Sequence, residues 1–311
     1  MFESLFSKSG LSLDRLRSFL EMAEAGGIAK AAPGDAVRQS QISRQIRELE
    51  EFFGTELTRR RGKSLVLTPS GRRLADLIRA QLQGLDDFRR EEQGRPKVFV
   101  LGAGASTLEM MVAPRLPDLA KALEGALLRT ESHRSRALVE AVQEGRVDFA
   151  VVRRDAIADP SKKNCQPLVK LSFHLCIPYR LLPKGKNTGD PGDPALWSKL
   201  PFAAGRDGGQ LDRAIREAME KAGVDFSPRF ECGSILQVRQ LVMQEDCAAV
   251  LPNPALPGLN EKQILVLPFE PLASYGRTLV LHWNPRQMET RAVDPTTLRK
   301  IGECLTRTAS P

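Results

Sequence analysis

One stretch restricts the architecture of this 311-residue chain more than any other. Residues 39–71 read QSQISRQIRELEEFFGTELTRRRGKSLVLTPSG, which divides into a helix, a basic hairpin and the start of a second, capped helix. Between 39 and 53 the apolar residues Ile42, Ile46, Leu49 and Phe53 recur at helical spacing, while Ser40, Ser43, Arg44 and Arg47 collect on the other side. One side of such a helix packs and the other is free to touch something. Short hydroxyls and guanidiniums are the groups that hydrogen-bond base edges and phosphates in a major groove, and no acid stands in the first two turns to oppose them.

The neighbouring residues complete a winged helix-turn-helix. Ser12 is placed to cap a first helix with Leu13, Leu16, Phe19, Leu20 and Ala23 on its apolar side, and Gly26 and Gly27 end it. A short helical segment over 28–32 leads into a turn at Pro33, Gly34 and Asp35. After Gly54, Leu65 and Leu67 alternate beyond the turn at Gly62 and Lys63, which predicts a two-stranded wing carrying Arg59, Arg60, Arg61 and Lys63. Cations there would meet phosphates or a minor groove. The formal charge of +8 favours a polyanionic partner, but the basic excess is spread over the whole chain. The local count is more telling: nine bases against four acids between Arg38 and Arg73.

Thr68 then acts as an N-cap, Pro69 takes the first helical position, and Gly94 closes a pattern running through Leu74, Leu77, Ile78, Leu82, Leu85 and Phe88. This is a single helix, roughly 37 Å long at about 25 residues. Arg72, Arg73, Asp76, Arg79, Asp86 and Asp87 fill the face between the apolar positions. A stripe of that length needs a partner, either its own domain or the same helix of a second subunit.

Beyond Gly94, Arg95 and Pro96 the texture alternates. Strands are expected at 98–101, 126–129 and 147–152 with a helix at 135–144, then strands at 173–177, 202–204, 229–232, 247–251, 264–267 and 278–282 with helices at 211–222, 235–244 and 295–305. Two α/β lobes joined by crossing strands follow. In such sheets a ligand sits beyond the carboxyl ends of the strands. The candidate lining is Gly104, Ser106 and Thr107 after the first strand, Arg134 and Ser135, Arg206 and Asp207, and Ser234. A hydroxyl at a helix start beside exposed N–H groups suits a carboxylate, and Arg206 or Arg134 could supply a counter-charge. The expected domains are 1–67, 68–94 and 95–311.

The segments LDRLRSFLEMAEAGGIAKAA, SRQIRELE, FGTEL and LTPSG, in that order, resemble the LysR-type transcriptional regulators. The resemblance is specific over roughly the first 75 residues and weaker beyond. It implies base reading by Gln39, Ser40, Ser43 and Arg44, with Arg47 on the same face, and backbone contacts from a wing bearing Arg60, Arg61 and Lys63. It further implies pairing of the 68–94 helix between subunits, a homodimer or homotetramer on an interrupted palindrome of double-stranded DNA, and a periplasmic-binding-protein-like effector domain that senses a small molecule; the hydroxyls at the helix start make an anion one candidate. Some residues depart from the family pattern. Asp35 stands where the family has leucine, and Pro33 and Gly34 interrupt its second helix, a gap Val37 could fill. Ser40 replaces a proline, altering base preference, and Thr58 replaces a phenylalanine, which would loosen the wing. Glu245, Asp246 and Cys247 replace a glycine-rich strand end.

Other classes find little support. Gly102, Gly104 and Thr107 approach a dinucleotide fingerprint, but the third glycine is missing, and Pro114 and Pro117 would break the following helix early. Without a constellation of nucleophile, base and orienting group, a nicotinamide-dependent enzyme is disfavoured, and no cofactor is expected. Cys165, Cys176, Cys232, Cys247 and Cys304 show no CxxC spacing and read as inert reduced thiols. His133, His174 and His282 are scattered, so no metal site is expected. Without a long apolar run, the expected location is cytoplasmic. The alternative is a small-ligand-binding protein whose DNA-reading module has degraded.

Overall fold

The structure is a computed structural model, and it describes residues 3–7, 9–61, 64–158, 164–183, 190–206 and 210–307. The chain divides into two compact units: Met1–Lys97 with Ala141–Arg146 and Asn284–Val293, and Val98–Glu140 with Val147–Trp283 and Asp294–Pro311.

In the first unit a short α1 (Glu3–Phe6) precedes α2 (Leu13–Ala25). Ser12 caps α2 by accepting from the Arg15 N–H at 3.3 Å, and Gly26 closes it in the left-handed region. After the single turn α3 (Ile28–Ala31), the chain enters α4 (Ala36–Phe53) three residues before the expected start. The cause is Asp35, whose carboxylate accepts from the Arg38 N–H at 2.9 Å and so caps the helix. Val37 therefore does not fill the gap left by the interrupted second helix; it is 81% exposed. Ile42, Ile46 and Leu49 are buried as expected, joined by Phe52 rather than Phe53. Ile42, Ile46 and Leu49 pack with Phe19, Met22, Leu57, Ala75 and Ile78 into one core.

The wing is β1 (Thr58–Arg61) paired antiparallel with β2 (Ser64–Leu67), Thr58 opposite Leu67 and Arg61 opposite Ser64. Thr58 anchors this hairpin instead of loosening it. Its N–H and hydroxyl, with the N–H of Leu57, all donate to one carboxylate oxygen of Glu50 on α4, at 2.8–3.0 Å. Then comes α5 (Pro69–Glu92). Its cap Thr68 accepts from the Gly71 N–H and donates to the Glu56 carbonyl, knitting the helix start to the wing base. A Cβ on Gly71 would lie 2.0 Å from the Leu57 carbonyl oxygen, so this position of the LTPSG motif admits only glycine.

The second unit holds two sheet systems. The first has the order β4 (Leu127–Ser132), β3 (Val98–Ala103), β5 (Phe149–Arg153), β12 (Thr278–Trp283) and β6 (Cys165–Lys170). The three strands β4, β3 and β5 run parallel as expected, whereas β12 runs antiparallel to both its neighbours. The second has β7 (Phe173–Pro178) between β10 (Ala249–Pro252) and β11 (Ile264–Pro268), both antiparallel to it. A parallel pair, β8 (Ala203–Gly205) with β9 (Phe230–Cys232), accompanies it. Between β3 and β4 lies a helical run, α6 (Ala105–Thr107), a π-helical turn over Leu108–Val112, a 3₁₀ turn over Ala113–Arg115 and α7 (Leu116–Ala122). Pro114 and Pro117 do not end this run. Each sits near the start of a tighter or new turn, where a missing N–H costs nothing. The other helices are α8 (Ser135–Gln143), α9 (Pro194–Trp197), α10 (Gln210–Lys221), α11 (Ile235–Met243), α12 (Pro285–Thr290) and α13 (Pro295–Thr306), of which α12 belongs to the first unit. Gly102 has a packing role: a Cβ there would meet a Leu138 methyl of α8 at 2.3 Å.

Candidate DNA-reading surface and ligand cleft

The apolar side of α4 fixes its outward side. Val37, Ser40, Arg44 and Arg47 are exposed along one stripe at spacings of three or four, and Ser43 beside them is half-buried. Arg44 is 78% exposed and is steadied by its Nε on Glu48 at 2.9 Å. Arg15 of α2 holds the other oxygen of Glu48, and these two hydrogen bonds, that of Arg15 first, keep the Glu48 carboxyl below its ordinary 4.5. Among the described residues, Arg47 hydrogen-bonds only to a carbonyl of its own helix, Ser43, at 3.5 Å. Gln39 differs from the rest: its side-chain amide donates to the Ala32 carbonyl at 2.7 Å, tying α4 to the end of α3. Arg38 points back into the unit, onto Glu21 at 2.6 Å and the Ser18 hydroxyl at 3.2 Å, and holds Glu21 below 4.5. Arg59 and Arg60 of β1 are exposed and make no ion pair among the described residues. Arg61 lies on the same strand by its backbone, and Lys63 lies outside the described residues.

The second unit contains a cleft of about 260 Å³. Gly104, Ser106, Thr107 and Ser135 line it. Because α6 begins at Ala105 with Gly104 as a cap that makes no side-chain bond, neither hydroxyl of Ser106 and Thr107 is used in capping. Arg134 and Arg206 are exposed outside the lining; Arg206 donates its backbone N–H to the Cys232 carbonyl at 2.8 Å. Ser234, also outside, caps α11 by accepting from the Gln237 N–H. Asp207 lies outside the described residues.

Among the described residues, the charged ones of the lining are Arg153 and Arg277. Both contact Asp155, Arg153 Nε at 3.2 Å and an Arg277 terminal nitrogen at 2.7 Å, and the Arg277 guanidinium lies 4.8 Å from the centre of the Tyr275 ring. Neither arginine is among the residues expected from the sequence: Arg153 is the last residue of β5, one beyond the expected strand end at 152, and Arg277 precedes β12. Only the antiparallel course of β12, with Leu279 opposite Arg153, brings the two together. A search restricted to ends of parallel strands passes over Arg277.

Two family models match the chain. One, described as "Bacterial regulatory helix-turn-helix protein, lysR family", covers residues 13–72, and the other, "LysR substrate binding domain", covers 92–295. The chain belongs to the LysR family of transcriptional regulators. Like other LysR-type regulators it combines a helix-turn-helix DNA-binding domain with an effector-binding domain. It is 26% identical over 253 residues to the HTH-type transcriptional regulator DgdR of Burkholderia cepacia, covering 79% of this chain and 80% of that one. It shares the fold of the full-length regulator LysG from Corynebacterium glutamicum, solved with bound effector Arg (TM-score 0.58, 17% identity, 97% of this chain and 100% of that one). It shares it also with ArgP from Mycobacterium tuberculosis (TM-score 0.56, 18% identity, 96% and 98%). No helix among the described residues is long and apolar enough to cross a membrane.

Burial disfavours the thiolate at Cys176, Cys232, Cys247 and Cys304. Cys176 is buried on β7 and its thiol is pushed up to about 12, and burial raises those of Cys232, Cys247 and Cys304. Among the described residues no three His, Cys, Asp or Glu side chains gather as a metal site would need.

Proposed function

We propose that this LysR-type regulator reads an interrupted palindrome of double-stranded DNA through Ser40, Ser43, Arg44 and Arg47 of paired α4 helices. Gln39 contributes through its remaining carbonyl, and Arg60, Arg61 and Lys63 hold the phosphates. The supporting observation is the outward stripe of α4: exposed hydroxyls and guanidiniums on a helix whose other side is locked into the core by Ile42, Ile46 and Leu49. The functional division is a reading domain (1–67), a pairing helix (68–94) and an effector domain (95–311), acting as a homodimer or homotetramer in the cytoplasm, without catalysis. A small anion entering the cleft beside Gly104, Ser106, Thr107 and Ser135 changes the balance between two placements of the reading heads. It does so only through different affinities for the two.

Selection of random duplex DNA on the purified protein tests the reading. An enriched interrupted palindrome is expected; salt-sensitive retention without a motif would overturn base reading. On the selected site, Arg44→Ala is expected to cost about 1–3 kcal/mol and relax preference at one position, while Arg60→Ala weakens all sequences alike and flattens the salt dependence. Equal losses for Arg44→Ala on specific and random DNA would remove the base-reading role.

A further inference from the structure

The first turn of α4 differs in chemistry from the rest of the outward stripe. Val37 heads that stripe and is 81% exposed, the most exposed large apolar side chain among the described residues. It takes no part in the core that holds the other side of the helix. An uncovered valine gains nothing in the folded chain, and its β-branch makes it a poorer helix former than alanine. The groups around it are apolar or already engaged. Arg38 points back onto Glu21 and Ser18, and the Gln39 amide is spent on the Ala32 carbonyl. Ala36 beside Val37 is exposed, and Asp35, which caps the helix, brings a negative charge to its start. A phosphate would meet repulsion from that carboxylate and, among the described residues, no cation turned outward in this turn. The start of α4 is therefore unsuited to the DNA backbone and suited to a base edge. Residues at the N-terminal end of a recognition helix are those that reach base edges, and the apolar group a base edge offers in the major groove is the thymine 5-methyl.

We infer that Val37 reads a thymine in each half-site, packing its methyl groups against the 5-methyl of that base. This rests on α4 being the base-reading helix and adds an apolar contact to its polar ones. Val37 and Arg44 stand seven residues apart on one face, a rise of about 10.5 Å, so the thymine lies up to about three base pairs from the base that Arg44 reads. Uracil pairs as thymine does and lacks only that methyl, so exchanging the two isolates the contact. One methyl taken out of water against an apolar group is worth about four-fold in affinity.

The test uses the duplex that the purified full chain selects. Each thymine of one half-site is replaced in turn by uracil, and binding is followed by fluorescence anisotropy at fixed salt. At one position the replacement is expected to weaken binding about four-fold. In Val37→Ala that position should lose its sensitivity, thymine and uracil binding alike, whereas Val37→Thr, which keeps one methyl, should retain part of it. Arg44→Ala should leave the thymine-over-uracil preference in place, because Arg44 acts at another base pair. Val37→Ala removes an uncovered side chain in favour of a better helix former, so its melting temperature should not fall, and a lost preference then reports the contact and not unfolding. If no thymine is sensitive to uracil, or the sensitive one stays sensitive in Val37→Ala, the assignment to Val37 is overturned while reading by α4 stands on the selected motif. If no motif is selected, reading by α4 falls and the assignment falls with it.

Discussion

Asp35 shows how one residue relocates a functional surface. By capping α4 it starts the helix at Ala36 and carries Val37 out into solvent at the head of the reading stripe. Asp35→Ala should cost about 1 kcal/mol, the usual worth of such a cap, and fray the first turn; an unchanged melting temperature would show that the cap does not hold the helix. His282 governs a different property. Its ring is buried on β12, with Nδ1 2.9 Å from the Asn164 carbonyl, and burial pushes its pKa below the ordinary 6.5. His174 is lowered for the same reason. The unfolded chain binds protons at these rings below 6.5 while the folded chain resists, so stability is full above 6.5 and falls as the pH drops towards the depressed folded values. Denaturant midpoints followed from neutrality to about pH 5 should decline, and His282→Gln should flatten that decline. A midpoint that stays level in the unmodified protein would remove the linkage.

At the scale of elements, α5 carries two kinds of stripe. Its polar positions Asp76, Arg79, Gln83 and Asp87 do not all face solvent, as the alternation alone suggests. Arg79 donates to the Glu144 carbonyl and pairs with Glu24, Gln83 accepts from the Gln287 amide at 2.9 Å, and Asp87 and Arg291 form a two-bond pair at 2.8 and 2.9 Å. The Arg291 and Asp87 side chains are only 1% and 8% exposed. Removing one partner strands a buried charge, so Arg291→Met should cost about 3–5 kcal/mol, and the double change with Asp87→Leu should recover much of it. Denaturant unfolding of the four members of this cycle reads the coupling; additive losses would mean the pair is not coupled. Such a pairing spans residues 204 apart and has no local signature, which is why periodicity places Asp87 on an open face. The same limit applies elsewhere. Helix starts at Ser12 and Thr68, the wing, and most strands are legible because caps, turns and alternation are local signals. The edge strand β6 is not, because Pro167 interrupts its pattern; a proline is tolerated there since β6 pairs on one side only, with β12. In the cleft, Ser106, Thr107 and Ser135 follow from strand order, whereas Arg277 depends on the direction in which a strand far along the chain returns.

For the whole molecule, the decisive question is what covers the second stripe of α5. Leu77, Leu85 and Phe88 recur at helical spacing on one side, and Leu85 and Phe88 remain 58% and 62% exposed, while Gly71, Ala75 and Ile78 of the same helix face the core of the first unit. Each such side chain gains about 1.5–3 kcal/mol when fully buried, and in a symmetric pair every contact counts twice. A second copy of the chain meeting this stripe would set two α4 helices at a fixed separation, the arrangement an interrupted palindrome demands. The joint change Leu85→Glu with Phe88→Glu touches no core position, so the melting temperature of the chain taken as a monomer should not fall. Sedimentation should show dissociation to monomers. Affinity for a full selected site should drop towards that for a half-site, because two linked heads bind far more tightly than one. If the doubly substituted protein still sediments as a dimer and binds the full site undiminished, pairing through α5 is wrong, and the exposed stripe requires a different partner.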